Sequence, residues 1–179
     1  MKLEINLPDV AEVTTQSCPV PIARQQERWS AKCLGDMRKE RGVYVIHHDG
    51  KIKYIGKTDG PKMSFGRRLR AEFREKSSRG RHIYPKLSTL RVPPEIMVHC
   101  FTSNAIKQRI KTDGKELSSF QLIGIFESAM IYHLDPEFQE HHVTAMANYV
   151  QKVITKHTGR QLNPENAQAF FKKVKGMIK

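Results

Sequence analysis

RGVYVIHHDGKIKYIGKT, Arg41 to Thr58, reads as one β-hairpin turned at Asp49-Gly50. Each arm carries a tyrosine and a glycine near its outer end, as Gly42-x-Tyr44 and Tyr54-x-Gly56. Arms that only filled a core would be better served by bulk at both glycines. Glycine inside a strand marks a place where a ligand or another backbone comes close. Two registers are open. A two-residue loop sets Tyr44 opposite Ile55, on the same side as Lys57, and sends Tyr54 to the other side. A three-residue loop, His48-Asp49-Gly50, sets Tyr44 opposite Tyr54 and Gly42 opposite Gly56, with Gly50 at positive φ. A shared role for the tyrosines requires the second, which is the expectation here.

Outward from the hairpin, residues 1–21 hold Pro8, Pro19 and Pro21 without a clear period and are expected to form an arm. Trp29, Cys33 and Met37 stand at i, i+4, i+8 and predict a helix from Ile22. Downstream, Thr58-Asp59-Gly60-Pro61 breaks the chain. Ser64 to Lys76 then predicts a helix with Phe65, Leu69 and Phe73 as its apolar stripe. Ser77 to Pro94 is basic and loop-like, and Glu95 to Thr102 reads as a third strand. Ser103 to Lys115 is polar, with a short helix ending at Asp113-Gly114. Ser118 and Gln121 form a capping-box start for an apolar helix to Leu134. Two helices, 142–157 and 164–178, close the chain, the last announced by Asn163 and Pro164. The expected class is α+β, a small three-stranded antiparallel sheet flanked by helices. The expected division is an arm and helix over 1–40, a core over 41–139 and a helical extension over 140–179.

The length, 179 residues, suits one domain with short appendages. The net charge is +13 and uneven. Residues 41–91 hold fourteen Lys and Arg against four Asp and Glu, whereas 1–40 is balanced and 92–139 slightly acidic. Such a block is a face for polyanions, and nucleic acid is the expected partner rather than a membrane. No apolar run spans a bilayer, and Met1 to Asp9 lacks a signal peptide's basic start and apolar core. Cys18, Cys33 and Cys100 are odd in number with no C-x-x-C pair, which points to a reducing, intracellular (cytoplasmic) setting.

Gly42-Val43-Tyr44 and Tyr54-Ile55-Gly56 resemble the paired motifs that define the GIY-YIG endonucleases. The resemblance runs over about 42–139. Lys57 follows the second motif, Arg68 lies on the next helix, and Glu127 sits in FESAMIYHLDPEFQ. Pro136 and Phe138 match the proline and aromatic of the family's closing segment. Two positions depart from the pattern. Gln139 stands where the family has Asn, and Glu72 stands four residues after the helix arginine, where His or Tyr is usual.

The resemblance implies a metal-dependent endonuclease that hydrolyses duplex DNA, of restriction or mobile-element type, with Mg²⁺ (or Mn²⁺) as cofactor. Tyr44 would be the base, with Lys57 and Arg68 supplying the positive field a phenol of pKa ~10 needs to ionise. Arg68 would also fork onto the scissile phosphate, and Tyr54 would position water or phosphate. Glu127 stands out from the sequence itself. At helical spacing its neighbours are Ile123, Met130, Ile131 and Leu134, so its carboxylate needs a core cation or a metal. The expected DNA contacts are Arg67, Arg70, Arg74, Lys76, Arg79 and Arg81. The extensions would give target choice or form a homodimer, since one active site cuts one strand. The alternatives are a GIY-YIG-like DNA-binding module with impaired catalysis and a basic scaffold acting on RNA.

Weaker signals carry less. Gly56-Lys57-Thr58 mimics the tail of a P-loop, but Lys51 stands where the upstream glycine is required. His47-His48 and His141-His142 read as surface or hairpin-tip residues rather than ligands. Lys172, Lys173 and Lys175 read as a solvated helix face.

Overall fold

A computed structural model describes residues 3–21, 31–58, 60–73, 83–87, 95–113 and 116–139. The helices expected at 142–157 and 164–178 lie outside them, as does the start of the one expected from Ile22. The chain begins with β1 (Leu3–Ile5), α1 (Val10–Thr15) and β2 (Cys18–Pro21). A 3₁₀ segment, Ala31–Lys39, follows and is broken at Gly35. The hairpin is β3 (Gly42–His48) and β4 (Lys51–Lys57). Then come α2 (Phe65–Glu72), α3 (Tyr84–Leu87), β5 (Glu95–Thr102), α4 (Ser103–Arg109), β6 (Ile110–Thr112) and α5 (Ser119–Leu134).

The class is α+β, but the sheet is not three-stranded. It has four antiparallel strands in the order β2-β5-β3-β4, and β1 pairs with β6 in a separate two-stranded sheet. The added strand is the supposed arm. Pro19 and Pro21 remove two backbone donors, which an edge strand tolerates, and β2 runs along β5 with Cys18 opposite Val98 and Pro21 opposite Glu95. The polar stretch after β5 also holds more than a short helix, because its end turns into β6.

Both faces of the sheet are covered. Val43, Val45, Ile55 and Phe101 point to one side and join Val13, Ile106, Ile123, Phe126 and Met130 in one core. Tyr44, Ile46, Val98 and Cys100 point to the other and join Leu34, Phe65, Leu69 and Phe73. So α4 and α5 lie on one face, and α2 with the 3₁₀ segment on the other. The expected stripe of α2 is its buried side, and α5 starts on the expected capping box, with Ser118 accepting from Gln121 N.

The free edge of β4 is covered by the chain after α5. Glu137 N donates to Ile52 O (3.1 Å) and Phe138 N to Lys53 O (2.8 Å). Gln139 Oε1 accepts from Ile55 N at 3.3 Å. Backbone groups that an edge strand would leave open are thereby paired.

Candidate active site

The hairpin does not take the expected three-residue register. Its turn is two residues long, with both Asp49 (φ 52) and Gly50 (φ 68) left-handed, and His48 faces Lys51. A bulge follows, because Ile46 pairs with Tyr54 and His47 with Ile52, leaving Lys53 as the extra residue. The bulge shifts the rest of the ladder by one place. Tyr44 therefore faces Gly56, not Tyr54, and Gly42 faces Thr102 of β5, not Gly56. The expected positive φ at Gly50 is present. The two tyrosines still share a face, diagonally, with ring centroids 6.2 Å apart.

This register answers why both arms carry glycine. A Cβ on Gly56 would lie 2.4 Å from the Tyr44 hydroxyl oxygen, so the glycine gives the phenol its place. Gly42, at φ 153, would set a Cβ 1.9 Å from the Phe101 carbonyl oxygen, where two backbones close. The close neighbours are the protein's own atoms.

Tyr44 is fully buried in a network with Arg68 and Glu72, of which only the arginine was expected. Its hydroxyl donates to Glu72 Oε1 at 2.9 Å and accepts from Arg68 Nε at 3.3 Å. Arg68 Nη2 lies 2.7 Å from the same carboxylate oxygen. Ser64 caps α2, and the i,i+4 spacing sets Arg68 and Glu72 on one side of the helix, facing β3. Glu72 is thus at the centre of the cluster. The i,i+4 spacing of opposite charges was the signal that could have found it.

The electrostatics of Tyr44 run against the expected base. Burial pushes its phenol well above the ordinary range, the neighbouring Tyr54 and Glu72 add to this, and Arg68 only partly opposes them. Tyr54 is partly buried and also raised, to about 12, by burial and then by Glu72, with Arg68 pulling the other way and Glu127 adding to the rise.

Lys57 and Glu127 form a second group. Lys57 faces Val43, on the side of the sheet opposite the tyrosines, and its Nζ lies 2.9 Å from Glu127 Oε2. Glu127 sits on α5 among buried Ile123 and Met130 and partly buried Ile131 and Leu134, as its spacing predicted. Its side chain is 17% exposed. Because β4 is the outer strand, α2 and α5 approach it from opposite faces, and Glu127's charge is felt at Tyr54. Among the described residues, no group of three or more His, Cys, Asp or Glu is arranged to hold a metal ion.

Of the expected DNA contacts, Arg67 and Arg70 are exposed on α2, and Arg67 Nη1 donates to Lys62 O at 2.9 Å. Arg74, Lys76, Arg79 and Arg81 lie outside the described residues. His48 is at the hairpin tip, whereas His47 is buried and bonded through Nε2 to Ser17 Oγ at 2.6 Å. No helix among the described residues is long and apolar enough to cross a membrane. Comparison with protein families, with curated proteins and with solved structures finds no match to this chain.

Proposed function

We propose that this chain is a metal-dependent endonuclease that hydrolyses DNA phosphodiester bonds, of restriction or mobile-element type. The observation that carries the reading is the convergence on β4 of groups from four elements. Tyr44 comes from β3, Tyr54 and Lys57 from β4, Arg68 from α2 and Glu127 from α5. A phosphodiester lying at the Gly56–Lys57 end of β4, beyond the stretch that 137–139 covers, would meet a guanidinium on one side and a carboxylate on the other.

Each residue then has a task. Arg68 takes the scissile phosphate, which its planar fork suits and its partial exposure allows. Tyr54, the less buried phenol, orients the phosphate or the attacking water. Tyr44, sealed from solvent, holds Arg68 rather than touching water. Glu127 already binds a cation, the Lys57 ammonium, and one carboxylate completed by water and substrate oxygens suits Mg²⁺ or Mn²⁺. Bound there, such an ion would act as a Lewis acid on the phosphate and ease departure of the 3′ oxygen. Lys57 would hold Glu127 in place until then.

A second reading is a DNA-binding module without catalysis. Two observations favour it: the full burial of Tyr44 and the closure of Lys57 on Glu127. Incubation with plasmid and with short RNA, with and without Mg²⁺, separates the readings. The nuclease reading expects Mg²⁺-dependent nicking of plasmid, lost in Glu127→Gln by at least about a hundredfold, the scale of one transition-state contact. Glu127→Gln should still bind DNA. Binding without cutting in the wild type would support the module, and cutting by Glu127→Gln at the wild-type rate would remove the metal role.

A further inference from the structure

Glu72 has no task in the proposed chemistry, yet its side chain is wholly buried. It lies on a helix whose other buried side chains, Phe65 and Leu69, are apolar. Holding a carboxylate out of water is costly, and an apolar residue would fill the same space more cheaply. The Tyr44 hydroxyl and Arg68 Nη2 both end on one of its oxygens, Oε1.

The use of that charge follows from counting donors on Arg68. A guanidinium has five N–H groups. The Nε–H goes to Tyr44 and one Nη2 hydrogen to Glu72, at 3.3 and 2.7 Å. Arg68 also hydrogen-bonds Tyr54, and its side chain is 34% exposed. Anchored at two points on its inner edge, the guanidinium plane has one orientation. We propose that Glu72 is a positioning residue that, with Tyr44, locks the plane of Arg68 so that its outer N–H groups meet a phosphodiester already aligned. This rests on the nuclease reading for its substrate, but the locked arginine is observable without any substrate.

Two measurements on the full chain test it. The first uses ¹⁵N-arginine-labelled protein and the Arg68 side-chain resonances. A locked guanidinium gives a protected Nε–H and separate Nη signals, and Glu72→Gln should merge them. Free rotation of Arg68 in the wild type overturns the proposal, even if every variant fails to fold. The second is a mutant cycle on plasmid cleavage in Mg²⁺. Glu72→Gln should lower kcat about a hundredfold, as a small misplacement does, while KM stays within about threefold because many cations share binding. In an Arg68→Ala background the same substitution should cost nothing further. A full additional loss there would mean that Glu72 acts without Arg68 and would sink the proposal. So would a variant whose kcat per folded molecule is unchanged. A wild type that locks Arg68 but cuts nothing supports the positioning role and overturns the nuclease reading beneath it.

Discussion

Gly56 and Tyr44 show how closely this site is fitted at the scale of single residues. Adding one methyl at Gly56 pushes on the Tyr44 phenol, itself hydrogen-bonded to a buried carboxylate, so neither can move alone. Gly56→Ala should destabilise the protein by about 1–3 kcal/mol, as overpacking does, and lower cleavage as well. A urea midpoint within error of wild type would show that Tyr44 has room to shift. Tyr44→Phe, which looks harmless in the sequence, strips a donor from Glu72 and should cost about 1–3 kcal/mol. Both phenols are raised, so the sign of their pH effect is fixed. Their stabilisation is complete below the unfolded phenol's pKa of ~10 and is lost as pH rises through the folded value, about 12 for Tyr54. Urea midpoints between pH 9 and 11 should fall, and fall less steeply in Tyr54→Phe. At this scale the sequence was half legible. Residue identities and the Glu127 environment could be read, because spacing on a helix is local. The cross-strand partner of Tyr44, Gly56, could not, because it depends on a bulge at Lys53 that no local pattern announces.

Elements with a strong period were read close to their limits. Glu95–Thr102 is the expected strand, and α5 the expected capped helix. The failures are short or broken pieces. β1 and β6 have three residues each, too few to show a period, and β2 was hidden by prolines that suit an edge. These pieces matter because α1 and β2 cover a pair of buried histidines. Ser17 Oγ spends its one hydrogen on Val13 O, so His47 Nε2 must be the donor in their bond. His99 is buried against Phe101, their ring centroids 4.2 Å apart, near Glu12 of α1 and Arg109 of α4, which pair with each other. Burial lowers both histidine pKa values, with His99 and His48 also pressing on His47. Below the unfolded value of about 6.5 the unfolded chain takes up more protons, so stability is full above that pH and falls beneath it. Melting temperature should drop from pH 7 to pH 5, more shallowly in His47→Gln, which can still donate to Ser17. Parallel curves for the two proteins would rule His47 out as a contributor.

For the whole molecule, charge is the most legible property, because it needs no fold. Arg67 and Arg70 stand exposed on α2, the helix that also carries Arg68. Binding to duplex DNA should weaken with salt at a log–log slope of about −0.9 for each phosphate neutralised. Arg67→Ala and Arg70→Ala should each reduce that slope by about one unit and leave kcat nearly unchanged. A slope unmoved by both would place the docking surface elsewhere. The sheet's two margins have a consequence for assembly. On one side 137–139 occupies β4, and on the other β2 has proline at two of its four positions. Neither margin offers the regular ladder that a strand from a second molecule would need. Two copies cutting opposite strands would therefore have to couple through surfaces other than a shared sheet, leaving each hairpin's register independent of its partner.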